Sequence, residues 1–239
     1  MNLEARVAAA KVAKYATDES GDTIEMVERP RGGLSVVIAD GQRSGKPAKA
    51  ISNIVTRKAL ALLAEGVRDG AAARAAHDHL FTERRGQVSA TLNIVSVDLL
   101  TRTLVISRNS HCPVYVLTPA GLQCLSEPSQ AVGIYARTKP LITELPLEPN
   151  THIVIFTDGV LEAGAREGSK LDLPALITQL LSDPAATAQS AADGLLSAAI
   201  ALDRGRPSDD MTVLVLSIVP QADGDSTRRL TVRFPIEPV

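Results

Sequence analysis

Three acids in this chain sit where an apolar run stops or starts. Leu34-Ser35-Val36-Val37-Ile38-Ala39 runs into Asp40-Gly41, and His152-Ile153-Val154-Ile155-Phe156-Thr157 runs into Asp158-Gly159. Ser208-Asp209-Asp210 has the reverse order and leads into Met211-Thr212-Val213-Leu214-Val215-Leu216. Short runs this apolar predict buried strands, and an acid at the end of a buried strand is held rigidly at a sheet edge. If the three strands lie side by side, their carboxylates converge at one edge. Carboxylates in so small a space cannot all stay ionised and unpaired. Divalent cations would resolve the repulsion, and hard ones suit oxygen ligands. Asp-Gly is also a common turn, so either unit taken alone reads as a hairpin corner. Two such units, with Asp-Asp placed before a third strand, point together to a site.

The ordered set Asp40-Gly41, Thr157-Asp158-Gly159 and Ser208-Asp209-Asp210-Met211-Thr212 resembles the metal-dependent PPM (PP2C-like) serine/threonine phosphatases, most closely their bacterial SpoIIE-type branch. Gly21-Asp22 resembles the Gly-Asp that precedes the first metal acid in that family. Asn109-Ser110-His111-Cys112-Pro113 is similar to the branch's Gly-His-x-Pro segment. The resemblance covers about residues 20–219. It implies an α+β fold, a four-layer α-β-β-α sandwich of two antiparallel sheets flanked by helices. It also implies one phosphatase domain spanning 1–239, with 220–239 as a C-terminal extension. Further, it implies two Mn²⁺ or Mg²⁺ ions, with Asp40 bridging both and the Gly41 carbonyl, Asp158 and Asp209 as the other protein ligands. Asp40, Asp158 and Asp209 are thereby the catalytic acids, and a metal-bound hydroxide attacks a phosphoserine or phosphothreonine without a phosphoenzyme. Asp22 is expected behind the ligands, orienting a metal water, or else on a surface turn. Asp210 stands where the family often has Asn, and is expected beside the ligand Asp209.

The loop after the first acid departs from the branch. Gln42-Arg43-Ser44-Gly45-Lys46 is longer and more cationic, and the phosphate-gripping Arg of the eukaryotic enzymes has no match. Arg43 or Lys46 can reach a phosphate; either reads equally as a solvated loop charge. The implied substrate is a phosphorylated signalling protein; by analogy with the branch, an anti-sigma-factor antagonist is a candidate. The sequence carries none of the branch's sensor domains. Regulatory input is therefore expected from another chain, or through a homodimer or partner surface on the helices of 47–84. The rival reading is a catalytically weak, phosphatase-like binding module.

The elements that must position these residues follow from pattern. Residues 4–16 fit helix or strand, with strand preferred because Val7, Ala9, Lys11, Ala13 and Tyr15 alternate. Residues 23–28 predict a strand and 29–33 a hairpin loop into 34–41. Ile51, Ile54, Val55, Ala59, Leu62 and Leu63 fall on one face of a helix over 47–64, with Pro47 in its first turn and Gly66 beyond its end. Asp69 is expected to cap a second helix over 70–84 that buries Ala72, Ala75, Ala76 and Leu80. So many alanines predict close approach of these helices to a neighbour. Strands are expected at 90–98, 103–107, 113–118 and 141–145, helices at 172–182 and 186–202, and a last strand at 228–234.

Composition excludes several classes. The 239 residues are 45% hydrophobic, enough for a core, but only 3% aromatic, so aliphatic side chains must fill it. A net charge of −2 without a basic tract gives no support for nucleic-acid binding. Cys112 and Cys124 lack metal-type spacing and are expected to be reduced, small and packed. No apolar run approaches a membrane span, and a cytoplasmic location is expected. Gly41 to Pro47 resembles a phosphate loop but is one residue short, and Pro47 replaces the magnesium-holding Ser or Thr. Gln42 stands where a haloacid-dehalogenase-like nucleophile site needs a second acid. Gly-x-Ser-x-Gly and His-Glu-x-x-His are both missing. His77 and His79 are expected on an exposed helix face, and His111 as a structural hydrogen-bonder.

Overall fold

A computed structural model describes residues 2–183, 185–221 and 226–235. Among these residues, ten strands form two five-stranded antiparallel sheets. The first sheet has the order β1 (Leu3–Val12), β10 (Met211–Pro220), β9 (Thr151–Phe156), β6 (Val114–Thr118), β7 (Gly121–Leu125). The second has the order β2 (Asp22–Glu28), β3 (Leu34–Gly41), β4 (Ala90–Asp98), β5 (Thr103–Asn109), β8 (Leu141–Pro146). Helices α1 (Gly45–Ala64) and α2 (Asp69–Glu83) cover the outer face of the second sheet. A one-turn helix α3 (Asp158–Leu161), α4 (Leu173–Leu181) and α5 (Ala188–Leu202) lie on the first. The result is the expected α-β-β-α sandwich.

Three apolar layers hold it together. Val36, Ile38, Val95, Leu104, Ile155 and Leu214 meet between the sheets. Val37, Ala39, Ile94, Val55, Leu63 and Leu80 join the second sheet to α1 and α2. Phe156, Val213, Ile177 and Leu195 join the first sheet to α4 and α5. The unbroken apolar run of β3 follows from this stacking. Its even residues face the other sheet and its odd residues face helices, so neither face meets water. Ala59, Ala72, Ala73 and Ala76 are fully buried, and the missing side-chain bulk lets α1 and α2 approach closely. No helix among the described residues is long and apolar enough to cross a membrane.

Several expectations are corrected. The three acid-bearing strands are not side by side: β9 and β10 are neighbours, while β3 lies in the facing sheet. Asp69 does not cap α2; Arg68 takes that position without a side-chain bond, and Asp69 turns inward to Arg29 and Ser96. Ala75 is only half-buried, and its place on the buried face goes to Ala73 and His77. His77 is 2% exposed and accepts a hydrogen bond from the Gly133 amide at 3.0 Å, whereas His79 is exposed as expected. Cys124 is exposed on β7, an edge strand whose mixed burial left no apolar signal to read. Residues 226–235 form no strand; most of the polar stretch expected before them, 222–225, lies outside the described residues.

Candidate active site

β2 and β3 pair so that Asp22 lies directly opposite Asp40. Cross-strand partners share a face, and this one looks into the space between the sheets. The second pair of acids arrives from the other sheet. Asp158 follows the end of β9, and Asp209 precedes the start of β10, its antiparallel neighbour. The joint between those strands is tied by the Thr157 amide, which donates to the Thr212 carbonyl at 3.1 Å, and by the Thr212 amide, which donates to Thr157 Oγ1 at 2.9 Å. The carboxylates of Asp22, Asp158 and Asp209 all bear on Asp40. The acids therefore converge across the sandwich rather than along one sheet edge.

Asp22 is fully buried, which removes the surface-turn reading. Its Oδ2 accepts from Thr157 Oγ1 at 2.9 Å and Thr212 Oγ1 at 2.5 Å, so the hydroxyls of the opposite sheet hold it in place. Its Oδ1 is buried and receives no hydroxyl or amide donor among the described residues; the Asp40 carboxyl is the acid within hydrogen-bonding reach of Asp22. Burial, then the neighbouring acids, pushes the Asp40 carboxyl far above the usual carboxylate range. Burial also raises Asp22, against the pull of the two threonines, and raises Asp158, with Asp209 adding to the effect. Carboxyls crowded in this way hold on to protons, which divalent cations would displace.

Asp209 and Asp210 separate by role. Both oxygens of Asp210 are taken by backbone amides, Oδ1 by Lys14 at 2.9 Å and Oδ2 by Gly21 at 2.9 Å, so it braces β1 and the start of β2. Asp209 has a 43% exposed side chain; its Oδ1 accepts from the Asp210 amide at 2.9 Å and lies 3.8 Å from Lys14 Nζ. The two glycines that follow acids are forced by close approach. A Cβ on Gly41 would stand 2.0 Å from the Ala48 carbonyl oxygen of α1, and one on Gly159 would stand 2.2 Å from the Asp210 carbonyl oxygen.

Other residues complete the neighbourhood without a sequence signal. Lys49 of α1 and Lys11 of β1 both donate to the Asp22 carbonyl, at 2.7 and 3.1 Å. Burial, and then Lys11, holds the Lys49 ammonium below its usual range. His111 is a hydrogen-bonder as expected, its Nε2 3.8 Å from Cys112 Sγ, but the ring is also exposed and the same nitrogen lies 3.9 Å from Asp158 Oδ2. Only its place in the Asn109–Pro113 segment hinted at this. Burial pushes the neighbouring Cys112 thiol up to about 12, so it stays protonated and is no nucleophile. Arg43 and Lys46 are exposed beside the start of α1 and make no ion pair among the described residues.

Among the described residues, no three of the Asp, Glu, His and Cys side chains close into a ready-made cage around one ion. The donor chemistry still fits divalent cations. It offers hard carboxylate oxygens in excess, a buried oxygen on Asp22 that no donor hydroxyl or amide among the described residues reaches, and partly exposed carboxyls at Asp158 and Asp209 where water can complete the coordination. Mg²⁺-type sites usually retain several waters in this way.

The stacked antiparallel sheets have the fold of PP2C phosphatase domains. The chain belongs to the SpoIIE family: the model for Stage II sporulation protein E matches residues 30–219. It is 23% identical to Stage II sporulation protein E of Bacillus subtilis (strain 168) over 212 residues, which is 88% of this chain. The match spans only 25% of that relative's length. The structure of the PP2C phosphatase domain and a regulatory-domain fragment of Bacillus subtilis SpoIIE superposes with a TM-score of 0.77 at 21% identity, covering 92% of this chain and 64% of that one. The catalytic domain of the serine/threonine phosphatase PstP, solved with two manganese ions, gives 0.69 at 17% identity, covering 92% and 100%. At such identities the superpositions speak for the fold.

Proposed function

We propose that this chain is a protein serine/threonine phosphatase dependent on two divalent cations, Mn²⁺ or Mg²⁺, acting on a phosphorylated signalling protein. One observation carries the reading: Asp40, opposite Asp22 on its own sheet, is faced by Asp158 and Asp209 from the other. Asp40, Asp158, Asp209 and the Gly41 carbonyl are the groups that would hold the cations. The manganese ions in the PstP structure support the choice of metal. When bound, such ions make water nucleophilic near neutral pH and offset charge on phosphoryl oxygens.

The chain's own residues have distinct tasks in this reading. Asp22, fixed by Thr157 and Thr212, is an acceptor that orients water at the site. Asp210 keeps Asp209 in place by tying its loop to Lys14 and Gly21. His111, beside Asp158 and open to solvent, can hand a proton to a departing serine or threonine oxygen. Arg43 and Lys46 remain candidates to receive the substrate phosphate. The exposed faces of α1 and α2 are the proposed regulatory or dimer surface. Lys49 and the Ala48–Gly41 contact connect α1 directly to the site.

The test is phosphate release from a phosphoserine peptide with Mn²⁺, beside calorimetry of Mn²⁺ binding. Release that EDTA stops is expected, together with loss of the high-affinity binding event in the Asp40→Asn/Asp158→Asn/Asp209→Asn variant. Metal binding without any release would leave a binding module. Unchanged binding in the triple variant would move the ions elsewhere.

A further inference from the structure

The chain beyond β10 carries an unused strand pattern. Leu230, Val232 and Phe234 alternate with polar residues and are 76%, 87% and 83% exposed. Three large apolar side chains at alternate positions do not remain in water without a reason. The segment is rich in strand formers, and Pro235 would end a ladder just after Phe234.

An open partner lies next to it. β2 is the edge of its sheet, with β3 on one side only. Its Asp22 carbonyl is reached by the ammoniums of Lys11 and Lys49, so it points away from β3. Peptide groups alternate along an antiparallel strand, and those of Ile24, Met26 and Glu28 therefore point outward as well. The apolar rim here is incompletely covered. Ile24 is partly buried against the inter-sheet core, as are Leu3, Ala5 and Val7 of β1, and Met26 is 38% exposed.

One contact sets a register between the two. Arg228 forms an ion pair with Glu28, the last residue of β2. We propose that Arg228–Phe234 is a sixth strand of this sheet, adding antiparallel to the open edge of β2 in the register of the Arg228–Glu28 pair. That register sets Leu230 opposite Met26 and Val232 opposite Ile24, and brings Phe234 level with Asp22, whose own amide and carbonyl are held by Ser20, Lys11 and Lys49, so the ladder's hydrogen bonds stop at Ile24. Opposed residues share a face, so the three apolar side chains fall on the inter-sheet side, where the rim is open. The alternate residues fall on the α1 side, with Arg233 diagonal to the exposed Glu25. A shift of one residue would reverse every side chain and put the arginines into the apolar rim. The occupant is this chain's own tail and not a second copy's, because the pair to Glu28 already holds the segment there at high effective concentration. The added strand would seal the core along β2 and bring Phe234 to the end that carries Asp22.

Disulfide trapping tests both register and occupant. Met26→Cys/Leu230→Cys is made in the full chain with Cys124→Ser, which removes the exposed native thiol. Mild oxidation is expected to give an intramolecular disulfide in most molecules. Met26→Cys/Thr231→Cys, whose thiols would lie on opposite faces, should yield at least tenfold less. The amides of Ile24 and Met26 should also exchange at least tenfold faster when residues 228–239 are deleted. Predominantly intermolecular disulfides would assign the edge to a second copy and overturn the proposal. Equal yields in the two frames, or exchange unaffected by the deletion, would show a loose tail and overturn it too.

Discussion

Asp40→Asn is expected to lower Mn²⁺-dependent phosphatase turnover a thousandfold or more, equivalent to about 4 kcal/mol of transition-state stabilisation, and to leave the metal-free protein folded. Asn keeps the size of the side chain and removes its charge. The group lost is the one that faces acids from both sheets, so cation affinity and the phosphate position suffer together. Stability should respond in the opposite sense. Asp40 accepts no hydrogen bond on which a strand or helix depends, and it sits among like charges in a buried place. A carboxyl whose folded-state pKa is raised lowers stability above its unfolded pKa, and Asn carries no such cost in the absence of metal. The melting temperature in EDTA should therefore stay level or rise. Wild-type turnover in the variant would remove Asp40 from the chemistry. A steep fall in the EDTA melting temperature would make it a structural turn residue instead.

Much of this site was legible because it lies on apolar strands whose ends are marked by acids. Asp40, Asp158 and Asp209 each interrupt or begin a run that could only be buried. Their meeting across two sheets was not legible from spacing, since nothing local in β3 says that it faces β9 and β10. The threonines that hold Asp22 stood in the quoted motifs, but a hydroxyl donating across the sandwich leaves no pattern in sequence. Lys11, Lys14 and Lys49 look like ordinary surface lysines on an edge strand, a turn and a helix. Only the tertiary fold aims them at Asp22 and Asp209. His77 misled for the complementary reason. On an alanine-rich helix the buried face is broad and weakly marked, and a histidine can enter it when a backbone amide such as that of Gly133 supplies a partner. The expected last strand had a sound pattern, but among the described residues it touches β2 through Arg228 and Glu28 without pairing to it, which is the observation taken up above for 228–234.

Asp69→Ala should produce the mirror image of Asp40→Asn: a large loss of stability with turnover per folded molecule unchanged. Asp69 and Arg29 form a 2.7 Å ion pair whose side chains are only 6% and 9% exposed. The pair is embedded in a polar knot. Ser96 Oγ donates to the other Asp69 oxygen, Ser35 and Ser96 bond to each other at 2.6 Å, and Arg29 Nη2 donates to the Val67 carbonyl at 3.0 Å. The knot ties the β2–β3 hairpin to β4 and to the first turn of α2. Truncating Asp69 leaves the guanidinium buried without its counter-charge. Removing one partner of a buried pair costs about 3–5 kcal/mol, a fall of roughly 10 °C in melting temperature for a chain of this size. Arg29→Met/Asp69→Leu removes both charges and should cost less than either single change, because no ion is then stranded. Arg29 lies just past Glu28, the far end of β2 from Asp22, about 20 Å away at strand spacing. The acids should therefore keep their positions in whatever fraction remains folded. Thermal melting of Asp69→Ala, Arg29→Met and the double variant, beside turnover normalised to folded protein, measures both halves. A cost for Asp69→Ala within 1 kcal/mol would show that water reaches the pair. A drop in normalised turnover would show that the α2 end of the sheet is mechanically coupled to Asp40.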